Sequence, residues 1–219
     1  PEIEVVTMQA DGTHRQTLKQ TWDRANQVAH ALNAHGIGIG DRIGSFMWSN
    51  YRHLELYQGV PSMGAVLHTI NLRLSATDLE YIINHAADRV LFADEDLLPL
   101  LEPLWGKIPC VELLVVCRHG EDGESSFENQ IDYEDFIAGQ ATEYEWPEIN
   151  ETSPMGLCYT SGTTGKPKGV MYTNRSTYLH TLTECLTDSI GLSSLDALLG
   201  IVPMFHAMGW GLPFCASML

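Results

Sequence analysis

Two rhythms of apolar positions alternate along the chain. Short, β-branched runs at residues 43–48, 66–70, 90–93 and 111–117 are bounded by turn-forming residues, as buried strands are. Between and around them, apolar residues recur at helical spacing. Trp22, Ala25, Val28, Ala29 and Leu32 do so first. Residues 51–63 follow, then 79–86 with Ser75 or Thr77 as cap, 97–105 beyond Pro99, and 133–138. Short strands alternating with helices predict an α/β fold: largely parallel layered sheets with flanking helices. At the N-terminus, residues 3–8 alternate and predict one arm of a hairpin, with Asp11-Gly12 as the turn and residues 14–18 as the second arm. The run Gly36-Ile37-Gly38-Ile39-Gly40-Asp41 is a helix-to-strand turn. It fails the G-x-G-x-x-G pattern and stands after a helix rather than after a strand, so it is no dinucleotide fingerprint. Residues 118–129 read as a solvated loop and 142–152 as an acidic linker.

The linker leads into the most chemically dense stretch, Tyr159-Thr160-Ser161-Gly162-Thr163-Thr164-Gly165-Lys166-Pro167-Lys168-Gly169-Val170. Glycines let backbone N–H groups approach a ligand closely. Hydroxyls and amides together form a concave anion site, and lysine adds a mobile positive charge. Two of the chain's four lysines stand here, in a protein of formal net charge -16. That concentration points to a polyphosphate. A Walker A loop is excluded: Gly162 and Gly165 are too close, Pro167 follows Lys166, and no helix opens directly from the lysine. Residues 155–160 read instead as a strand and 169–172 as a second one. Thr173 or Asn174 then caps a helix over 175–186. A surface Gly/Ser/Thr loop that binds nothing is the alternative.

No Asp, Glu, Lys or Arg follows Asp196. A membrane span would use such a run. The prolines, glycines and histidine of residues 200–214 break a lipid-facing helix, and a buried pocket wall accounts better for them. The acidic balance excludes a general nucleic-acid or anionic-membrane binder. Five cysteines without a C-x-x-C pair read as free thiols of a reducing, cytoplasmic compartment. Cys158 reads as a buried strand cysteine rather than a nucleophile.

The stretch from Tyr159 to Val170 resembles the phosphate-binding signature of the AMP-forming adenylate-forming enzymes, a superfamily of acyl-CoA synthetases, luciferase-type enzymes and peptide-synthetase adenylation domains. Pro203-Met204-Phe205-His206 is similar to the P-x-F-H motif that follows it there. Met63-Gly64-Ala65-Val66-Leu67-His68-Thr69-Ile70-Asn71-Leu72-Arg73-Leu74 looks like the corresponding stretch of medium- and long-chain fatty acyl-CoA synthetases, although by pattern alone it is equally a buried strand and a turn. Residues 17–32 match a first helical motif loosely.

The resemblance implies a ligase that joins a fatty acid to ATP, giving acyl-AMP and pyrophosphate, then passes the acyl group to CoA. It implies that Thr160, Ser161, Gly162, Thr163, Thr164, Gly165 and Lys168 hold the phosphates. Thr160 would lie near Mg²⁺, and Lys168 rather than solvent-facing Lys166 would contact phosphate. His206 would line the junction of acyl group and nucleotide. Trp210 would close the acyl tunnel, with a core tryptophan as the alternative. Relatives of this kind are often homodimers. The family's later motifs are absent, so residues 1–219 are expected to be an incomplete N-terminal AMP-binding domain without its C-terminal part and small lid domain. An adenylation enzyme for an aryl, amino or short thioether acid stays open, as does a noncatalytic ATP-binding module.

Overall fold

The computed structural model describes residues 3–9, 12–119, 127–160 and 165–218. Strands β1 (Glu4–Gln9) and β2 (Gly12–Thr17) pair antiparallel as the expected hairpin; Asp11 of the expected turn lies outside the described residues. The second arm stops one residue short of the sequence reading, and α1 (Leu18–Ala34) starts four residues before Trp22. The cause is a capping box. The Thr17 hydroxyl accepts the Gln20 N–H at 3.1 Å, and Gln20 Oε1 accepts the Thr17 N–H at 2.7 Å.

Strands β3 (Arg42–Phe46), β4 (Val66–Thr69), β5 (Asp88–Asp94), β6 (Leu113–Cys117), β7 (Gln130–Asp132), β8 (Pro154–Thr160) and β9 (Lys168–Thr173) form one sheet in the order β7-β6-β5-β3-β4-β8-β9. Every pairing is parallel except β8 with β9. The connecting helices α2 (Tyr51–Ser62), α3 (Ala76–Ala86), α4 (Leu98–Leu101) and α5 (Tyr133–Ile137) cover both faces. Asn50 caps α2 and Ser75 caps α3, each side chain accepting a backbone N–H of the first turn.

Two cores result. Ile43, Leu67, Val90, Phe92 and Val115 pack with the helical residues Val28, Leu32, Leu56, Val60 and Phe136. On the other face Leu91, Ala93, Leu114 and Val116 pack with Leu79, Ile82, Ile83 and Leu101. The alternation along β5 and β6 splits each strand between the two cores, which is why their sequences read as unbroken apolar runs.

Two elements differ from the sequence reading. Residues 97–105 form one α-turn flanked by 3₁₀ turns rather than one helix. Pro99 and Pro103 each lack an N–H and restart the chain in a new turn. Strand β7 is an edge strand of three residues with one apolar member, Ile131, and so left no periodic signal.

Candidate functional site

In a mostly parallel sheet the strands end at a common edge, and ligands of such folds lie outside that edge. Thr160 ends β8 two residues beyond Cys158, the partner of Thr69, which ends β4. Phe46 ends β3, the next strand over. The segment carrying His206 docks at the same edge. Ser49, just beyond β3, accepts the Met204 N–H at 3.0 Å, and the Tyr57 hydroxyl donates to the Met204 carbonyl at 2.5 Å. Phe205 is buried and meets the Trp48 ring edge-on at 6.1 Å between centroids. Two stretches far apart in sequence, the phosphate-type arm and the P-x-F-H stretch, therefore rise from one rim of the sheet.

The β8–β9 register assigns side chains to faces. Gly156 pairs with Tyr172, Cys158 with Val170, Tyr159 with Gly169 and Thr160 with Lys168. Directly paired residues share a face, and neighbours along a strand alternate. Thr160 and Lys168 thus fall on the face of Gly156 and Cys158. Met208 packs on that face: a Cβ on Gly156 would lie 2.9 Å from Met208 Cε. Thr69 Oγ1 bridges Cys158 Sγ at 3.1 Å and Met208 Sδ at 3.6 Å. Burial pushes the Cys158 thiol up, as suits a buried strand cysteine rather than a nucleophile.

The opposite face carries Tyr159, whose ring lies over Gly169; a Cβ there would sit 3.3 Å from the ring. The Tyr159 hydroxyl meets His85 Nδ1 at 2.7 Å, and burial, with Asp88 next, pushes that phenol up to about 12. On this side Lys166 Nζ stands 4.7 Å over the ring of Tyr81, which shares α3 with His85. Lys166 and Lys168 are both exposed, but Lys166 is held toward α3 and Lys168 lies across the hairpin with Thr160. The Thr160 hydroxyl reaches the Lys168 carbonyl at 3.5 Å. Gly165 has a φ of +143°, a conformation that favours glycine, and open space where a Cβ would stand. Ser161, Gly162, Thr163 and Thr164 lie outside the described residues.

After β9, Thr173 caps α6 (Asn174–Glu184) through a capping box with Ser176. The chain returns through His206 into a turn in which Ala207, Met208, Gly209, Trp210 and Gly211 all have positive φ, from 48° to 80°. A left-handed turn of this length costs about 1–2 kcal/mol for each non-glycine residue. His180 of α6 pins it, Nε2–H donating to the Trp210 carbonyl at 3.0 Å. Gly211 cannot be replaced simply, since a Cβ would fall 2.6 Å from the His180 ring. Helix α7 (Leu212–Met218) follows.

Between α6, the left-handed turn and α7 lies an apolar cavity of about 410 Å³, lined by Tyr172, Thr177, His180, Glu184, Met208, Trp210 and Phe214 among others. Trp210 is 60% exposed among these residues. His206 is exposed at the rim.

The structure thus brings Thr160, Lys168 and the His206–Trp210 stretch to one side of one sheet edge. Sequence reasoning missed Tyr81, His85, His180 and Glu184. Each pair stands four residues apart within a predicted helix, one turn along a single face, and that spacing was the available signal. Among the described residues no helix is long and apolar enough to cross a membrane. The uncharged C-terminal run instead makes the turn and the short α7.

Comparison with known proteins places this geometry. The family model described as AMP-binding enzyme matches residues 1–219. A medium-chain-fatty-acid–CoA ligase of Ectopseudomonas oleovorans is 41% identical over 99% of this chain and 40% of its own length. A long-chain-fatty-acid–CoA ligase of Thermus thermophilus is 42% identical over 94% of this chain and 37% of its own. A 3-methylmercaptopropionyl-CoA ligase of Ruegeria pomeroyi is also 42% identical, over 90% of this chain and 36% of its own. The chain spans about two-fifths of the length of these relatives. Among solved structures, the fold is that of an acyl-CoA synthetase of Brucella canis, with a TM-score of 0.81 at 20% identity over 97% of this chain and 37% of that one.

Proposed function

The chain belongs to the AMP-binding enzyme family, and from that premise we propose that the full-length protein is a fatty acid–CoA ligase whose phosphate arm and acyl wall lie in these residues. The observation that carries the proposal is the shared sheet edge: Thr160 and Lys168 on one face of the β8–β9 hairpin, with the His206–Trp210 turn packed against the same face through Met208. The fatty-acid ligases at 41% and 42% identity support the substrate class.

The chemistry follows from the weakness of a carboxylate as an electrophile. A carboxylate oxygen attacks the α-phosphorus of ATP and pyrophosphate leaves; the CoA thiol then attacks the acyl carbonyl and AMP leaves. Both steps redistribute negative charge, so fixed positive charge and hydrogen-bond donors do most of the work. Lys168 would hold the departing phosphates, with Gly165 and the hydroxyl-rich stretch Ser161, Gly162, Thr163 and Thr164 supplying backbone and side-chain donors. Thr160 would offer Mg²⁺ one hard hydroxyl oxygen, across the hairpin from Lys168. Mg²⁺ would supply charge neutralisation of the phosphates. His206 would stand where acyl group and nucleotide meet, and the cavity behind Trp210 would take the alkyl chain. All five cysteines are free thiols, which supports a cytoplasmic protein.

A test is acid-dependent ATP–pyrophosphate exchange by the full-length protein. Lys168→Ala should lower the rate about 10²–10³-fold, the usual loss for one preorganised donor. Lys166→Ala, which removes the charge held over Tyr81, should leave most of it. Equal losses would overturn the assignment. The thioether-acid reading is favoured by the Ruegeria relative at 42% identity. A series of straight-chain acids separates the two. Each buried CH₂ contributes about 0.8 kcal/mol until the cavity is full, whereas a short thioether acid outperforming every alkyl acid would decide for the second reading.

A further inference from the structure

Helices α6 and α7, which form two walls of the cavity, meet through a pair of thiols. Cys185, the C-cap of α6, has its Sγ 3.4 Å from Sγ of Cys215 in α7. Cys215 is fully buried, while Cys185 is half-buried. The other three thiols are placed differently. Cys117 and Cys158 are buried in strands β6 and β8, and Cys110 reaches the Ile83 carbonyl and the Asn84 side chain.

We propose that Cys185 and Cys215 are a redox modification site, at which a peroxide-class oxidant closes a disulfide that pins α6 to α7. The sulfurs need to approach from 3.4 Å to about 2.05 Å. The wall that moves is the weakly buried one, since Thr181 and Glu184 are the buried residues of α6. The half-buried thiol reacts first. The Cys185 thiolate attacks one peroxide oxygen, forming an S–O bond while the O–O bond breaks and hydroxide leaves to become water. The Cys215 sulfur then attacks the Cys185 sulfur; the S–S bond forms, the S–O bond breaks, and the departing hydroxide takes the Cys215 proton as a second water. Two thiols lose two electrons and two protons, and the peroxide is reduced to two waters. Burial, with the Cys185 contact next, pushes the Cys215 thiol up to about 12. Its burial shields it from direct oxidation, as suits a resolving thiol.

The disulfide acts on the cavity because each cysteine neighbours a lining residue in sequence: Glu184 before Cys185, and Phe214 before Cys215. Drawing these walls together narrows the cavity. That this narrowing shifts acid preference toward shorter chains rests on the ligase reading above; the crosslink itself does not.

The experiment treats the reduced full-length protein with hydrogen peroxide and maps its peptides without reductant. The expected product is a peptide pair joined through Cys185 and Cys215, lacking two hydrogens and separated by dithiothreitol. In Cys215→Ser the oxidation stops at Cys185, which dimedone then labels; in Cys185→Ser no crosslink forms. Separately over-oxidised cysteines in the wild type, or crosslinks to Cys110, Cys117 or Cys158 instead, would overturn the proposal. Acid preference is measured on the same samples, reduced and oxidised. A crosslinked protein with unchanged chain-length preference overturns the narrowing. A protein that crosslinks but activates no acid in either state overturns the ligase reading and leaves the disulfide established.

Discussion

The sheet built by β3 to β6 and the arm that runs from Lys168 through α7 are held in place by different means. In the first, β3, β4, β5 and β6 are buried almost throughout, and helices cover both faces. In the second, β9 is exposed over its first four residues, α6 buries Thr181 and Glu184, and the return turn is left-handed. Hydrophobic burial does most of the work in the first region. The second is fixed by a few directed contacts: the Thr173 cap, the His180 bond to the Trp210 carbonyl, and Met208 on Gly156. The rigid part thereby aims the polar part, and the residues proposed for chemistry lie where burial is least.

The largest expected effect tests that division directly. Phe92 is fully buried between sheet and helices, packed edge-on against Tyr133 and Phe136. Phe92→Ala should cost about 3–5 kcal/mol in urea denaturation. Leu182 on α6 is 40% exposed, and Leu182→Ala should cost less than about 1 kcal/mol. An equal loss at both sites in the full-length protein would mean that further chain covers α6, and the contrast would vanish.

A second contrast is electrostatic. The first region buries a carboxylate at the end of β5. Burial pushes Asp94 up from 3.8 to about 6, against hydrogen bonds from the Trp48 N–H and Asn50 and the charge of His119. The folded state thus holds a proton that the unfolded chain has released. The favourable contribution is complete below pH 3.8 and is lost as pH rises to about 6. A shift of about two units corresponds to about 3 kcal/mol. Asp94→Asn should therefore gain about 3 kcal/mol relative to wild type between pH 3.5 and pH 7. A constant difference across that range would show that Asp94 ionises normally. The Arg175–Glu151 pair, which ties α6 to the linker, is exposed, and its removal should change the pH dependence of stability little.

The same contrast governs what was legible in the sequence. Buried parallel strands write their own signature: the runs at 43–48, 66–70, 90–93 and 111–117 fall on β3 to β6 within two residues at either end. The residues proposed to hold phosphate stand out in the sequence too, since Thr160, Lys168 and Gly165 belong to one local run of distinctive residue types. What lay outside that reach depends on long-range contacts. That Lys166 stands over Tyr81, while Lys168 shares a face with Thr160, is set by antiparallel register and by α3, far earlier in the chain. The left-handed turn was hidden because Ala207, Met208 and Trp210 are residue types that ordinarily avoid positive φ.

That turn supplies the smallest prediction, in which one pair of substitutions reverses sign between neighbouring elements. In a right-handed helix alanine is preferred to glycine by about 0.5–1 kcal/mol, because glycine has more backbone freedom to lose. Leu179, mid-way along α6 and 55% exposed, should obey this: Leu179→Ala should be more stable than Leu179→Gly. Trp210 is equally exposed, so truncating it removes little burial, but its φ is 58°. A Cβ there meets the following carbonyl oxygen at a cost of about 1–2 kcal/mol, and glycine escapes it. Trp210→Gly should thus be more stable than Trp210→Ala. Because the two variants at each position differ only by one Cβ, the comparison isolates the backbone from lost packing. His180→Ala should shrink the reversal, since the turn loses the bond that holds the Trp210 carbonyl and can relax toward right-handed geometry. Alanine preferred at both positions, measured by chemical denaturation of the four variants, would mean that the turn is right-handed in solution and that α6 does not set the conformation of the wall.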